Sequence, residues 1–282
     1  DHQMSRSQIE SLIVHPGDPD GKLVPQLHEV TAWLVDMMPS LFQEVMKREP
    51  ETLLQSDVAT ADVRVRATLV QTLLELYETE RLSDRDLHIG SQYGKLAHPT
   101  LGDQLRPYIL DGTKGTGVRG VAIRIVKTCG LKALQEELVQ VALDPNQPIQ
   151  LRVEAAYAVE RIGDGAKAKL KPLAIGQAGD DPDDELKGCG LRAVWPGGIT
   201  VEELLSTLTP PRRRSLIGAY QVFLSHELIE HLEPPHLPTA LKWVEEQEAK
   251  RAVPGPFGEL MDAIILKAWE HLDFPRVLEA LA

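Results

Sequence analysis

The chain has 282 residues, 43% of them hydrophobic, which is ample for a large core. Its formal net charge of −12 argues against general nucleic-acid binding, and it has no run of about 18 apolar residues that would span a membrane. Aromatic residues make up only 5%, while Leu, Ala, Val and Glu dominate the helical-looking stretches, as expected of a chain that packs helix on helix.

The opening residues, DHQMSRSQIE, lack a basic segment followed by an apolar one, so no signal peptide is expected. The chain begins on Asp1 with Met4 inside, which reads as a piece of a longer protein. Apolar spacing over 22–49 predicts two helices, about 23–36 and 39–49, with Pro39 suited to the first position of the second. Next comes Val63-Arg64-Val65-Arg66-Ala67-Thr68-Leu69, an aliphatic–basic–small pattern at helical spacing. Residues 80–118, rich in Gly, Asp and Thr, form the most loop-like internal stretch.

The same pattern then returns in Gly117-Val118-Arg119-Gly120-Val121-Ala122-Ile123, in Gln150-Leu151-Arg152-Val153-Glu154-Ala155-Ala156 and in Glu185-Leu186-Lys187-Gly188-Cys189-Gly190-Leu191. The basic residues of these three copies lie 33 and 35 positions apart, and Arg64 lies 55 before Arg119. The longer gap suggests a repeat with an insertion of about 20 residues, against the usual helical-repeat period of roughly 35 to 45. Between copies, residues 131–143 predict an amphipathic helix that Asp144-Pro145-Asn146-Gln147-Pro148 breaks. Residues 151–162 predict another, ended by Gly163 in a left-handed conformation, with a shorter helix over about 166–177. The acidic run Asp180-Asp181-Pro182-Asp183-Asp184-Glu185 suits the positive end of the following helix.

Beyond Trp195-Pro196-Gly197-Gly198, Thr200 and Glu203 have the spacing of a capping box. Helices are expected at about 201–208, 212–231, 237–250 and 256–270, punctuated by the proline pairs at 210–211 and 234–235. No segment alternates with period two, so strands are not expected. One helix pair cannot bury its apolar face alone, whereas stacked pairs share a continuous core. The fold class is therefore read as all-α, an α-solenoid (alpha-alpha superhelix) of two-helix repeats. N-terminal helices occupy 1–60, repeats 61–199 with the insertion near 80–118, and a C-terminal helical region 200–282 continues the solenoid.

Candidate chemistry is sparse. His226-Glu227-Leu228-Ile229-Glu230-His231 invites comparison with the zinc-protease helix, but its histidines are five apart, roughly 500° around the helix, and diverge. His236 is separated from them by Pro234-Pro235. Gly90-Ser91-Gln92-Tyr93-Gly94-Lys95-Leu96 is one residue short of a phosphate-binding loop and has Leu96 where a hydroxyl is needed. Gly112 to Gly117 reads as a turn before a helix. The adjacent carboxylates Glu136-Glu137 and Glu202-Glu203 diverge on their helices and make no acid–base dyad. Cys129 and Cys189 read as reduced core thiols, and Trp33, Trp195, Trp243 and Trp269 as core or junction packing. No catalytic residue, metal site or cofactor is expected.

Basic residues are the candidates for partner contact. Arg64, Arg119, Arg152 and Lys187 head the second helix of each pair. They read either as a ladder to neighbouring carboxylates and loop carbonyls or as one binding face. Arg212, Arg213 and Arg214, the single basic triplet, start the expected 212–231 helix and suit an acidic protein surface or a phosphate.

The run Leu151-Arg152-Val153-Glu154-Ala155-Ala156-Tyr157-Ala158-Val159-Glu160-Arg161-Ile162-Gly163 resembles HEAT or armadillo-type repeats, a likeness that extends over about 60–195. A narrower likeness lies in Leu186 to Pro196, Thr200 to Leu205 and Leu208-Thr209-Pro210-Pro211, which is similar to the C-terminal repeats of bacterial NACHT-type signal-transduction ATPases. That resemblance implies a cytoplasmic, non-catalytic sensor or scaffold that recognises a protein, with the nucleotide-binding motifs upstream. Alternatives are a lyase-type enzyme in the style of the HEAT-like phycobilin lyases, and a pure assembly scaffold.

Overall fold

The computed structural model describes residues 4–19, 21–58, 61–82, 90–177, 179–213, 217–248 and 255–281. Among these the chain is all-helical, and its one pairing of extended backbone is an isolated antiparallel bridge between Val14 and Leu23. Two compact units divide after Leu134.

The first unit holds six α-helices among its described residues: α1 (Arg6–Ile13), α2 (His28–Met37), α3 (Pro39–Arg48), α4 (Val63–Glu78), α5 (Leu101–Leu110) and α6 (Thr116–Cys129). Helix α1 opens with a capping box: Ser5 Oγ accepts from the Gln8 backbone, and Gln8 Oε1 accepts from that of Ser5 at 2.7 Å. Asp62 caps α4 by accepting from the Arg64 N–H at 2.8 Å. Leu69, Val70, Leu73 and Leu74 form one face of α4 and are fully buried. Helix α6 ends on Gly130 at φ 66°, the left-handed turn that glycine takes without strain.

The expected insertion near 80–118 is more ordered than its composition suggests. Residues 90–96 form a 3₁₀ helix and 101–110 form α5, while 83–89 lie outside the described residues. Leu101, Leu105, Tyr108 and Ile109 supply a buried face at spacings of four, three and one. Gly102 and Pro107 obscure that period, and Pro107 has no N–H for the Asp103 carbonyl one turn earlier.

The second unit contains α7 (Gln135–Leu143), α8 (Ile149–Ile162), α9 (Lys171–Ala174), α10 (Glu185–Val194), α11 (Val201–Thr207), α12 (Ala219–Val222), α13 (Leu228–Glu230), α14 (Leu237–Glu248), α15 (Pro256–Trp269) and α16 (Pro275–Leu281). A π-helical turn, Phe223–Glu227, joins α12 to α13. Helix α10 packs against α8, α9 and α12. Two glycines permit this closeness. A Cβ at Gly188 would sit 2.1 Å from the Tyr220 nitrogen, and one at Gly190 would sit 2.4 Å from the Ala174 nitrogen. The core continues through Leu204, Phe223, Leu228, Leu237, Phe257 and Ile264.

Four expectations fail in instructive ways. Gly163 ends α8 in an extended conformation (φ −79°), not a left-handed one. Space explains the residue, because a Cβ there would lie 2.7 Å from the Val159 carbonyl oxygen. The helix expected from 212 begins at Ala219, after the Arg212 N–H is taken by Asp184. The box at Thr200 is half formed: Thr200 Oγ1 accepts from the Glu203 N–H, but the Glu203 carboxylate pairs with Lys171 at 2.7 Å. Trp243 packs in the core edge-on to Phe257, whereas Trp33 and Trp269 are 61% and 59% exposed.

Candidate functional site

Arg119 and Arg152 occupy the fourth position of α6 and α8 and are buried, Arg152 being 2% exposed. Arg119 Nη2 donates to the Ile109 carbonyl at 3.0 Å, and Arg152 Nε donates to the Ala142 carbonyl at 3.1 Å. Both acceptors lie ten residues upstream, in the last turn of the preceding helix, where carbonyls lack helical partners and the dipole is negative. Each arginine thus fastens the start of one helix to the end of the helix before it. Eight residues ahead of each stands an aspartate that shapes the linking turn. Asp111 Oδ1 accepts from the Thr113 hydroxyl at 2.6 Å and backbone at 2.9 Å, and Asp144 Oδ1 accepts from the Asn146 backbone at 2.9 Å. These hydrogen bonds hold both carboxyls below their ordinary range. Burial draws both guanidinium groups downward, and Asp111 beside Arg119 and Asp181 beside Arg152 oppose that shift.

The other two members of the series behave differently. Arg64 is exposed on α4, and the inward guanidinium belongs to Arg66, which donates to the Ala97 carbonyl. The basic residue that reaches a carbonyl is therefore two positions from the one singled out, and its acceptor lies downstream. Lys187, 9% exposed, donates through Nζ to Thr209 Oγ1 at 2.8 Å and lies 4.6 Å from the centroid of the Tyr220 ring. Burial pushes its ammonium down to about 8, with Asp184 opposing.

Around Lys187 the acidic run and the basic triplet close on each other. Asp181 accepts from the backbone N–H of Leu186 and Lys187, at 3.2 and 2.9 Å. Asp184 accepts from the Arg212 N–H at 2.7 Å and lies 3.5 Å from its guanidinium. Arg213 pairs with Asp183 at 3.1 Å, and Arg214 lies outside the described residues. Glu185 accepts from the Tyr157 hydroxyl at 2.6 Å and the Ala219 N–H at 3.1 Å. Arg192 bridges Glu160 at 3.4 Å and Glu227 at 2.9 Å. Sequence reasoning missed Tyr157, Thr209 and Tyr220, because their partners come from other helices and loops. The arrangement fastens α8, α10, residues 209–213 and the start of α12 together.

The remaining motifs are likewise absorbed. Glu227 of the histidine-containing helix is held by Arg192, and no group of three metal-ligating side chains converges among the described residues. Lys95 donates to the Leu54 and Ser56 carbonyls at 2.9 and 3.0 Å. Cys129 and Cys189 are free thiols, and burial pushes Cys129 up to about 11. No helix among the described residues is long and apolar enough to cross a membrane.

Among the described residues are two clefts of about 490 Å³ each, within the range of roughly 300–1,000 Å³ typical of binding sites. One, in the first unit, lies among Val35, Phe42 and Val58. The other, in the second unit, is bounded by Trp195, Pro196, Glu202, His231, Glu233 and His236. No family model, curated protein or solved structure matches the chain.

Proposed function

We propose that this chain is a non-catalytic, protein-binding module of stacked two-helix, HEAT-like repeats, the sensor or scaffold portion of a larger NACHT-type regulatory or defence ATPase. The observation that carries the reading is the recurrence of one lock, an arginine at the start of a helix bonded to a carbonyl ten residues upstream. A lock of that kind makes each helix pair a rigid unit that can be repeated, and repeated pairs offer long surfaces for a partner. Val30, Trp33 and Met37, spaced three and four apart on α2, add exposed apolar area of the kind that partners cover.

The test begins by capturing a partner from extracts of the source cells, producing it recombinantly and titrating it against the purified chain by calorimetry. Saturable association at a fixed stoichiometry, without nucleotide turnover by the chain alone, is the expected result. ATP hydrolysis by the purified chain contradicts the reading.

A further inference from the structure

Helices α15 and α16 are joined by a tight turn, and their outer side is apolar. Of the six large apolar side chains exposed among the described residues of the second unit, five lie between 266 and 278: Leu266, Trp269, Leu272, Phe274 and Leu278. Leu266 and Trp269, 64% and 59% exposed, lie about one turn apart at the end of α15. The Phe274 N–H donates to the His271 carbonyl at 3.1 Å, and the Leu278 N–H donates to the Phe274 carbonyl at 3.2 Å, so hydrogen bonds fix the turn and the start of α16. The inner side is anchored too, with Leu260, Ile264, Ala268 and Val277 buried in the core. Weighted by exposure, the five side chains present on the order of 500 Å² of apolar surface, the size of the largest patch on a typical protein, which often marks an interaction site.

Carboxylates border this patch. Glu259, Asp262 and Glu270 stand seven before, four before and four after Leu266, which places all of them on its face of the helix. All three are exposed, and none has an ion-pair or side-chain hydrogen-bond partner among the described residues. The single base of α15, Lys267, is turned away and donates to the Ile229 carbonyl at 2.6 Å. The helix dipole favours Glu259 in the first turn but opposes Glu270 at the C-terminal end. Local helix energetics therefore leave the acid at 270 without a reason.

These features select an occupant. An extended segment does not suit the face, because no sheet edge stands there among the described residues to pair its backbone, whereas a helix satisfies its own N–H and C=O groups. An apolar row flanked by acids at one-turn intervals complements a helix whose apolar stripe is flanked by bases. A second copy does not fit. Two α15 helices laid antiparallel across Leu266 set Asp262 against Glu270, and parallel ones set each acid against itself.

We propose that the outer face of α15 and the turn into α16 docks a basic amphipathic helix of a protein partner, its apolar stripe on Leu266 and Trp269 and its lysines or arginines on Asp262 and Glu270. The proposal rests on the protein-binding reading above and names both the surface and the partner's chemistry. A chain of net charge −12 also draws a cationic partner at long range.

The probe is the fluorescein-labelled peptide LKKLLKLLKKLLKL, amidated at its C-terminus, titrated with the full chain at physiological ionic strength and followed by anisotropy. The comparison peptide has glutamate in place of every lysine. The lysyl peptide is expected to bind saturably, and its unlabelled form to shift tryptophan emission to shorter wavelength as Trp269 leaves water; the glutamyl peptide does neither. Leu266→Gln/Trp269→Gln, at exposed positions that leave the circular dichroism unchanged, is expected to raise the midpoint about tenfold or more, and Asp262→Asn/Glu270→Gln about fivefold. The control Glu29→Gln/Asp103→Asn removes the same charge at exposed positions elsewhere and is expected to change the midpoint by roughly twofold or less. Absence of saturable binding, equal binding of the glutamyl peptide, an unchanged midpoint in either face variant or an equal loss in the control overturns the proposal. So does dimerisation of the chain in sedimentation that Trp269→Gln abolishes, which assigns the face to a second copy. If the peptide fails while the chain still forms its saturable complex with the captured partner, the assignment of this face falls alone; if that complex also fails, both readings fall.

Discussion

Helices α8 and α10 begin with the same sequence device, an aliphatic residue, a base and then small residues, and they use it in opposite ways. In α8 the base is Arg152, which reaches back to the carbonyl end of α7 and closes a helix pair. In α10 it is Lys187, which reaches forward to Thr209 and lies over Tyr220. A guanidinium presents several donors in a plane and stays charged when buried, whereas an ammonium yields its proton as burial penalises it. The contrast teaches that a repeated pattern specifies a helix start, while the identity of the base and its reach decide what that start is fastened to.

The sharpest way to break the comparison is to disturb the packing that only α10 possesses. Gly188→Ala and Gly190→Ala place a methyl group where backbone atoms already stand, at 2.1 and 2.4 Å. Each is expected to lower the unfolding free energy by about 3 kcal/mol or more in urea titrations. An equivalent crowding change in α8 has no counterpart, because α8 carries alanines at its buried positions 155, 156 and 158.

A smaller effect follows from the Lys187 ammonium. An unfolded lysine titrates near 10.4, whereas in the fold this one titrates near 8. Below pH 8 both states hold the proton and the cost of burying the charge is felt in full. Between about pH 8 and 10 the unfolded state holds more protons, so stability rises with pH. The protein is expected to gain on the order of 2 kcal/mol across that window relative to Lys187→Met, measured by chemical denaturation. Above it the trend reverses, because burial raises the Tyr157 and Tyr220 hydroxyls and their ionisation favours unfolding. A flat difference between the two proteins from pH 8 to 10 would remove Lys187 from the account.

The smallest effect is expected at the basic triplet. Arg212 and Arg213 are each 59% exposed at the side chain, but only the Arg213 pair faces solvent, since Asp183 is 34% exposed and Asp184 5%. Alanine at Arg213 is expected to cost about 0–1 kcal/mol, with the loss shrinking in high salt.

How far the sequence could be read depended on whether the deciding interaction was local. Helices α2, α3 and α8 were legible to within a few residues because apolar period, proline and turn signals coincide there. Helix α5 was hidden, since Gly102 and Pro107 interrupt a buried face that only packing reveals. The all-helical class followed from period alone. The site was harder. The lock of Arg152 depends on a carbonyl ten residues away and was open to a ladder reading, but the replacement of Arg64 by Arg66 depends on Ala97, across a folded contact. Composition alone reads Trp33 and Trp269 as core or junction packing, yet both stand largely in solvent. The cleft at Trp195 could not be read at all, since its lining comes from 195–202 and from 231–236 and is assembled only in the fold.

The central claim is that the recurrent helix-start arginine is a fastening between helices. Arg152→Ala and Arg64→Ala test it as a pair, because both residues carry the same sequence pattern but only Arg152 is buried on a carbonyl. Equilibrium denaturation is expected to show a loss of about 3 kcal/mol for Arg152→Ala, from a vacated buried volume and a broken charged hydrogen bond, and under about 0.5 kcal/mol for Arg64→Ala. Equal losses in the two variants, or no loss at Arg152, would contradict it.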